Sequence, residues 1–267
     1  MSSIAVIDYG MGNLRSVSKA LEHVAPQCRV VVTSDAAVIA QAQRVVFPGQ
    51  GAMPDCMREL ESRGLRSAVI DAARRKPFLG ICIGLQMLFE ASEEGDIAGL
   101  GLFRGKVVRF PEAAMRDAAG ARLKVPHMGW NEVRQEAMAG EERARPEAGK
   151  ERAHAEVGKK RAHPQVGKER AHPETDEERV HPLWQSIPDR SRFFFVHSYY
   201  PRPDDADIVA ATTCYPFRFT CAVARDNIFA VQFHPEKSQA AGLALLRNFA
   251  AWDGTVPARS ASIRASA

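Results

Sequence analysis

The sequence predicts an α/β fold with a parallel, doubly wound sheet, on three observations. Short apolar runs alternate with stretches of helical spacing through the first ninety residues or so. Glycine-bearing turns follow several of those runs, at Gly10, Gly49 and Gly80. The composition, 45% hydrophobic and 25% charged over 267 residues, suffices for one sizeable core or two small ones.

Ile4-Ala-Val-Ile-Asp8 reads as a buried parallel strand, because it is apolar without alternation. A turn, Tyr9-Gly-Met-Gly-Asn-Leu14, leads into an amphipathic helix through Val17, Leu21 and Val24. That turn is not a dinucleotide-binding fingerprint, since Arg15 stands where the third glycine belongs. Cys28-Arg-Val-Val-Val-Thr33 is the second expected strand and Arg44-Val-Val-Phe47 the third, running into Pro48-Gly-Gln-Gly51. A helix with Met57, Leu60 and Leu65 on one side follows. Lys76-Pro-Phe-Leu-Gly80 is the next strand. It breaks at Gly80-Ile-Cys-Ile-Gly84, and helical spacing resumes at Leu85, Leu88 and Phe89.

After Leu100 the pattern changes to short strands expected to pair antiparallel: Lys106-Val-Val-Arg-Phe110, Leu123-Lys-Val-Pro126 and Trp130-Asn-Glu-Val133. A low-complexity block then repeats Glu-Arg-Ala-His-Pro-like units with a period of about nine residues, carrying His154, His163, His172 and His181. It nearly balances its charges and lacks large apolar side chains, so it is expected to be a solvated insertion, at about 137–181, and not a metal site. Order is expected to return at Leu183-Trp184. Arg192-Phe-Phe-Phe-Val-His-Ser-Tyr-Tyr200 is strongly β-prone. Residues 208–212 and 220–224 are further strands, and residues 228–233 lead into His234-Pro-Glu236. A last helix over 239–251 carries Leu243, Leu246 and Phe249 on one face, and 256–267 is a polar tail. The whole reads as one domain over 1–255 with the insertion looped out.

Several function classes are disfavoured. No stretch has the length of a membrane span, and the N-terminus lacks the basic region of a signal peptide. Five scattered cysteines without a Cys-x-x-Cys pair argue for reduced thiols and a cytoplasmic setting. A net charge of +4 does not by itself imply nucleic acid. No Walker motif is present, and no metal or cofactor is implied.

The chemistry gathers at Gly80-Ile-Cys-Ile-Gly84. A nucleophile between two glycines, at a strand-to-helix junction, is the pattern of a nucleophile elbow. The following helix would place its N-terminus at Cys82 and favour a thiolate. A thiolate needs a base that returns its proton to the leaving group. His234, at the end of an apolar strand, is the best of the eight histidines, and Glu236 is placed to orient it. His197 competes as a base, but its β-prone setting favours a structural or lining role. Acyl transfer also needs an oxyanion hole. The amide of Ile83 is one natural donor, and the 49–51 loop with Gln50 can supply another.

Pro48-Gly-Gln-Gly51, Gly80-Ile-Cys-Ile-Gly-Leu-Gln86 and His234-Pro-Glu236, in that order, resemble the class I (triad) glutamine amidotransferases. Tyr9-Gly-Met-Gly-Asn13, Pro126-His-Met-Gly-Trp-Asn131 and Phe195-Val-His-Ser-Tyr-Tyr200 narrow the resemblance to the glutaminase subunits of imidazole glycerol phosphate synthase, of histidine biosynthesis. The resemblance implies a flavodoxin-like, parallel or mixed sheet flanked by helices. It implies a Cys82–His234–Glu236 triad working through a glutamyl thioester, with glutamine bound by Gly51, Gln86, Glu94, Ser198 and Tyr199. It further implies a heterodimer with a (β/α)8-barrel cyclase, which takes the ammonia through an internal tunnel, with Asn13 and Trp130 facing that partner. The oxyanion loop would respond to the partner. Gln50 departs from the apolar residue some relatives carry there. An anthranilate or GMP synthase type of amidotransferase would leave 126–131 and 195–200 unexplained, and a Cys-His peptidase would leave Gln86 unexplained.

Overall fold

The computed structural model describes residues 2–117, 119–137 and 180–256. Most of the expected insertion, with His154, His163 and His172, and all but the first residue of the expected tail lie outside them.

The first half of the chain forms β1 (Ser3–Ile7), α1 (Leu14–Val24), β2 (Arg29–Thr33), α2 (Ala36–Gln41), β3 (Arg44–Gly49), α3 (Met53–Ser62), α4 (Arg66–Arg75), β4 (Phe78–Cys82) and α5 (Ile83–Gln86). Next come β5 (Phe89–Ser92), β6 (Ile97–Ala98), β7 (Phe103–Arg109), β8 (His127–Glu132) and β9 (Arg134–Gln135). After the insertion follow β10 (Arg192–His197), β11 (Tyr199–Pro203), β12 (Val209–Cys214), β13 (Arg218–Arg225), β14 (Ile228–Val231) and α6 (Gln239–Ala251).

Eight strands make one sheet in the order β2-β1-β3-β4-β14-β13-β12-β9. The first five are parallel, and β13, β12 and β9 extend the sheet antiparallel. The chain moves outward from β1 to β2 and then back across to β3. Right-handed crossovers therefore put α1 on one face, and α2 and the α3–α4 pair on the other. The contacts agree: α1 packs on α6, and α2 on α4. With helices on both faces the inner strands have no solvent side, so the apolar cores of β1, β3, β4 and β14 are buried throughout. Two small sheets, β10-β8 and β11-β7-β5-β6, complete the architecture.

Several local expectations need correction. The helix read through Met57 and Leu65 is two helices, broken where Gly64 takes φ +66° and the Leu65 amide donates to the Leu60 carbonyl at 3.1 Å. The short α2, capped by Asp35 accepting from the Ala37 amide, was not expected. Residues 123–126 form no strand; the Leu123 amide instead closes a turn onto the Met115 carbonyl at 2.9 Å. β7 pairs antiparallel with β11 but parallel with β5. The β-prone 192–200 run divides at Ser198 into strands of two different sheets. On α6 the buried line is Gly242, Leu245, Leu246 and Phe249, with Leu243 only half-buried at its edge.

The helix after Cys82 is a single turn, so it carries little of the dipole expected to favour a thiolate. Its extension is blocked by competition for acceptors. The Leu100 amide takes the Met87 carbonyl at 2.7 Å, and the Leu102 amide takes the Leu88 carbonyl at 2.8 Å. Those carbonyls would otherwise serve the next helical turn.

His181, expected to be solvated as part of the repeat, is not. It is fully buried, tilted against Phe229 with ring centroids 4.6 Å apart and edge-on to Trp252 at 4.9 Å, and its Nδ1 accepts from the Leu183 amide. Burial lowers its pKa to about 3. The last repeat histidine is thus part of the packed core.

Candidate active site

In an open parallel sheet the crevice lies beyond the carboxyl ends of the strands. The register here sets three such ends side by side. β4 lies between β3 and β14, with Gly49 opposite Cys82 on one side and Val231 opposite Ile81 on the other. One residue further along β14, Gln232 comes beside Cys82, and two beyond that is His234.

Cys82 takes φ +56° and ψ −110°, a backbone conformation that costs a non-glycine residue about 1–3 kcal/mol. The turn is held by close packing. A β-carbon on Gly84 would collide with the Phe47 carbonyl, and one on Gly80 would lie 3.0 Å from the Ala230 β-carbon. Only small residues at both flanks let the elbow sit this deep. The thiol of Cys82 is 4% exposed as a residue, so it is reached from inside the site.

His234 starts the 3-10 turn Pro235–Lys237. Its Nδ1 is 3.0 Å from Glu236 Oε1, and the two side chains are 4% and 1% exposed. Burial works against charge on this imidazole, but the Cys82 sulfur and then the Glu236 carboxylate outweigh it and raise the pKa to about 10. With a carboxylate at Nδ1, that nitrogen carries a proton. Nε2 is buried with no hydrogen-bond partner, as is Glu236 Oε2. Backbone contacts fix the ring's base: the His234 amide donates to the Phe194 carbonyl at 2.9 Å, and Ser238 Oγ donates to the His234 carbonyl at 2.6 Å.

The 49–51 loop ends β3. Tyr9 donates its hydroxyl to the Pro48 carbonyl at 2.9 Å, and the Cys56 thiol donates to the Gln50 carbonyl at 3.5 Å. Two anchored carbonyls therefore bracket the Gly49–Gln50 peptide. Gly51 takes φ +109°, which a side chain would strain, and the side chain of Gln50 is exposed. Ile83, as the first residue of α5, has an N–H with no intrahelical acceptor.

Of the other expected residues, Gln86 is 1% exposed and reaches two partners through Nε2: the Tyr199 carbonyl at 3.1 Å and Gln232 Oε1 at 3.0 Å. Its Oε1 is buried without a partner. Glu94 is half-buried and accepts the Met53 amide at 2.8 Å, which ties it to the N-terminus of α3 just past Gly51. Ser198 and Tyr199 lie at the junction of β10 and β11, where the Ser198 carbonyl accepts from the Phe110 amide at 3.1 Å. His197 is buried beneath this junction. Its Nδ1 is 2.8 Å from the Tyr199 carbonyl and its Nε2 is 3.1 Å from His127 Nδ1. It sits in an aromatic cluster with Phe110, Phe195 and Phe219. Of the structural and lining roles its sequence setting favours, this packing is the structural one.

Asn13 precedes α1, and Trp130 lies on β8, 38% exposed beside Met128 at 64%. Both α1 and β10, the strand paired with β8, touch the Pro235–Lys237 turn. Among the described residues no cluster of His, Cys, Asp or Glu could hold a metal ion.

Gln232 was missed in the sequence. It is fully buried, with Nε2 3.7 Å from Cys82 Sγ. Its signal was a single amide side chain in an otherwise apolar strand, two residues before His234.

The family described as glutamine amidotransferase class-I matches residues 5–251. A protein of Nitrosospira multiformis named imidazole glycerol phosphate synthase subunit HisH is 56% identical over 252 residues, covering 94% of this chain and 99% of that one. The protein of the same name from Aromatoleum aromaticum is 58% identical, with the same coverage. Solved structures include a glutamine amidotransferase with a TM-score of 0.57 at 13% identity, covering 93% of this chain and 99% of that one. A glutamine amidotransferase from Thermotoga maritima superposes with a TM-score of 0.51 at 13% identity, covering 93% and 96%. Identities this low bear on the fold alone.

Proposed function

The chain belongs to the class-I glutamine amidotransferases, in the branch of the HisH subunits of imidazole glycerol phosphate synthase, and from that premise we propose that Cys82, His234 and Glu236 hydrolyse glutamine to glutamate and ammonia. The observation that carries this reading is the elbow cysteine at φ +56° together with a buried imidazole whose charged form is favoured first by the Cys82 sulfur and then by a carboxylate at 3.0 Å.

The chemistry follows from that pairing. Cys82 Sγ attacks the side-chain carbonyl carbon of glutamine, and the carbonyl electrons move to oxygen. The amides of Ile83 and Gln50 receive that oxyanion. His234 Nε2 gives its proton to the departing nitrogen, and the C–N bond breaks to leave a glutamyl thioester and ammonia. Water then attacks the thioester, His234 takes the water's proton, and the C–S bond breaks to release glutamate and restore the sulfur. Glu236 keeps the imidazole oriented throughout and stabilises its charged form before the proton is given up and after it is regained.

Gly51, Gln86, Glu94, Ser198 and Tyr199 bind the glutamine. The unpartnered Gln86 Oε1 supports this, because a desolvated acceptor costs about 1–3 kcal/mol until a ligand donor reaches it. The bracketed Gly49–Gln50 peptide supports an oxyanion donor that turns toward the site when the partner binds. That partner is a (β/α)8-barrel cyclase subunit. It takes the ammonia through an internal tunnel and combines it with phosphoribulosyl formimino aminoimidazole carboxamide ribonucleotide. The products are imidazole glycerol phosphate and aminoimidazole carboxamide ribonucleotide. Asn13 and Trp130 face it, and the exposure of Trp130 and Met128 around the triad's own turn supports that placement. A cytoplasmic setting is supported by the five cysteines, all of which are unpaired. No helix among the described residues is long and apolar enough to cross a membrane.

The test is glutamine turnover by the purified chain, alone and with the barrel cyclase plus its ribonucleotide substrate. Low turnover alone and a large rise in the mixture is the expected result. A folded chain inactive in both conditions overturns the reading.

A further inference from the structure

We propose that Gln232 is a positioning residue of this active centre. Its amide nitrogen donates to the Cys82 sulfur, and its amide oxygen holds Gln86 so that the Gln86 oxygen faces the substrate. This rests on the glutaminase reading above and adds to it a residue outside the triad and the glutamine-binding set.

The donor and acceptor roles close without freedom. A peptide carbonyl only accepts, so the Tyr199 carbonyl, 3.1 Å from the Gln86 amide, must face its nitrogen. The same nitrogen is 3.0 Å from Gln232, so its second hydrogen goes there, and Gln232 presents oxygen to it. Gln232 therefore turns its own nitrogen to Cys82 Sγ, at 3.7 Å. The Tyr199 carbonyl is itself held. His197 Nδ1 donates to it at 2.8 Å, which leaves His197 Nε2 to accept from His127 Nδ1 at 3.1 Å. A flip of Gln86 would set oxygen against oxygen at two places, and a flip of Gln232 would set nitrogen against nitrogen at Gln86. All six side chains or peptide groups belong to buried or half-buried residues.

This arrangement suits a nucleophilic sulfur. Sulfur is a weak acceptor as a thiol and a stronger one as a thiolate, so a fixed N–H favours the attacking form. An amide does not take up a proton at working pH, so Gln232 stabilises the sulfur without competing with His234 for its proton. The sheet makes the contact. Val231 pairs with Ile81, so the next residue of the strand, Gln232, comes alongside Cys82. Gln86 is left with one unused polar atom, its buried Oε1, and the network aims that atom away from the protein's own donors.

The experiment uses Gln232→Met and Gln232→Leu in the chain assembled with its cyclase. It reads kcat and KM for glutamine, and the rate of iodoacetamide alkylation at Cys82. Alkylation is followed by the mass of the Cys82 peptide, because Cys214 is exposed and reacts as well. A lost hydrogen bond to a charged group is worth about tenfold in rate. The expected result is alkylation and kcat each lower by about tenfold, with KM raised by a similar factor as Gln86 loses an anchor. A folded variant with lowered thermal stability but kcat and alkylation within about twofold of wild type makes Gln232 a packing residue and overturns the proposal. If one variant loses its thermal transition, the other carries the comparison. The two readings fail separately. A wild-type complex that turns over no glutamine removes the glutaminase reading, while the alkylation comparison still decides whether Gln232 serves the sulfur.

Discussion

His234 and His197 are both buried, and each holds an oxygen about one hydrogen bond from Nδ1: Glu236 Oε1 at 3.0 Å for His234, the Tyr199 carbonyl at 2.8 Å for His197. Yet one favours the charged form and the other the neutral one. Burial pushes both toward neutrality. At His234 the charges of Cys82 and Glu236 reverse the effect and raise the pKa to about 10. At His197 the carbonyl helps only slightly, the neighbouring imidazoles oppose protonation, and the pKa falls to about 3. His127 beside it is lowered by burial to about 4. A dipole at hydrogen-bond distance does not offset desolvation of a cation, whereas a full charge does. The fold thus favours the charged form of one imidazole and keeps the other a neutral strut.

The sharpest break of this comparison is at Cys82, the proposed nucleophile. Cys82→Ala should lower glutamine turnover in the complex by at least about 10³-fold while the thermal transition survives, because the thioester route is closed. Residual turnover near wild type would remove Cys82 from the chemistry. Glu236→Gln keeps an acceptor for Nδ1 but removes the charge, and should lower kcat by about 10²- to 10⁴-fold. A variant within threefold of wild type would show that the carbonyl-type partner of His197 would have served His234 equally well.

The two classes of histidine should also divide the dependence of stability on pH. His127, His181 and His197 have folded pKa values of about 4, 3 and 3, below the unfolded 6.5. Between those limits the unfolded chain binds more protons, so stability rises with pH up to about 6.5 and is lost on acidification, by on the order of a few kcal/mol per group. His234 has the opposite sign. Its contribution is complete below 6.5 and is lost as pH climbs through about 10. Urea midpoints at pH 4.5, 6.5, 8 and 9.5 would show both limbs, and a flat profile from 4.5 to 6.5 would contradict the neutral assignments. His127→Phe preserves stacking between Phe195 and Tyr215 but removes the donor to His197. It should cost about 1–3 kcal/mol at neutral pH and shrink the acid loss. The smallest effect is expected at Ser238→Ala. Its hydroxyl donates to the His234 carbonyl and accepts the Phe194 amide at 3.0 Å, so its loss should cost about 1–2 kcal/mol in chemical denaturation.

The parallel half of the fold was largely legible, because strands buried on both faces are written as short apolar runs whatever their neighbours are. The elbow at Cys82 and the contact of His234 with Glu236 were legible for a similar reason: each depends on a particular local backbone or spacing. The antiparallel part was harder. Residues 192–200 read as one strand, and nothing local marks the change of sheet at Ser198. His181 read as one more repeat histidine, because its burial depends on Phe229 and Trp252, far along the chain. The length of α5 was misjudged because the competing donors, Leu100 and Leu102, come from a returning segment.

By itself the sequence determined the periodicities, the glycines at the elbow and the identity of the groups able to do chemistry, since these depend on sterics within a few residues. Only the tertiary structure decided which of those groups meet. The parallel register of β3, β4 and β14 brings Gly49, Cys82 and Gln232 into line, and the turn beyond β14 returns Glu236 to His234. Burial around them then decides which imidazole is charged. Register and desolvation are sums over many distant contacts, and no short stretch of chain contains them.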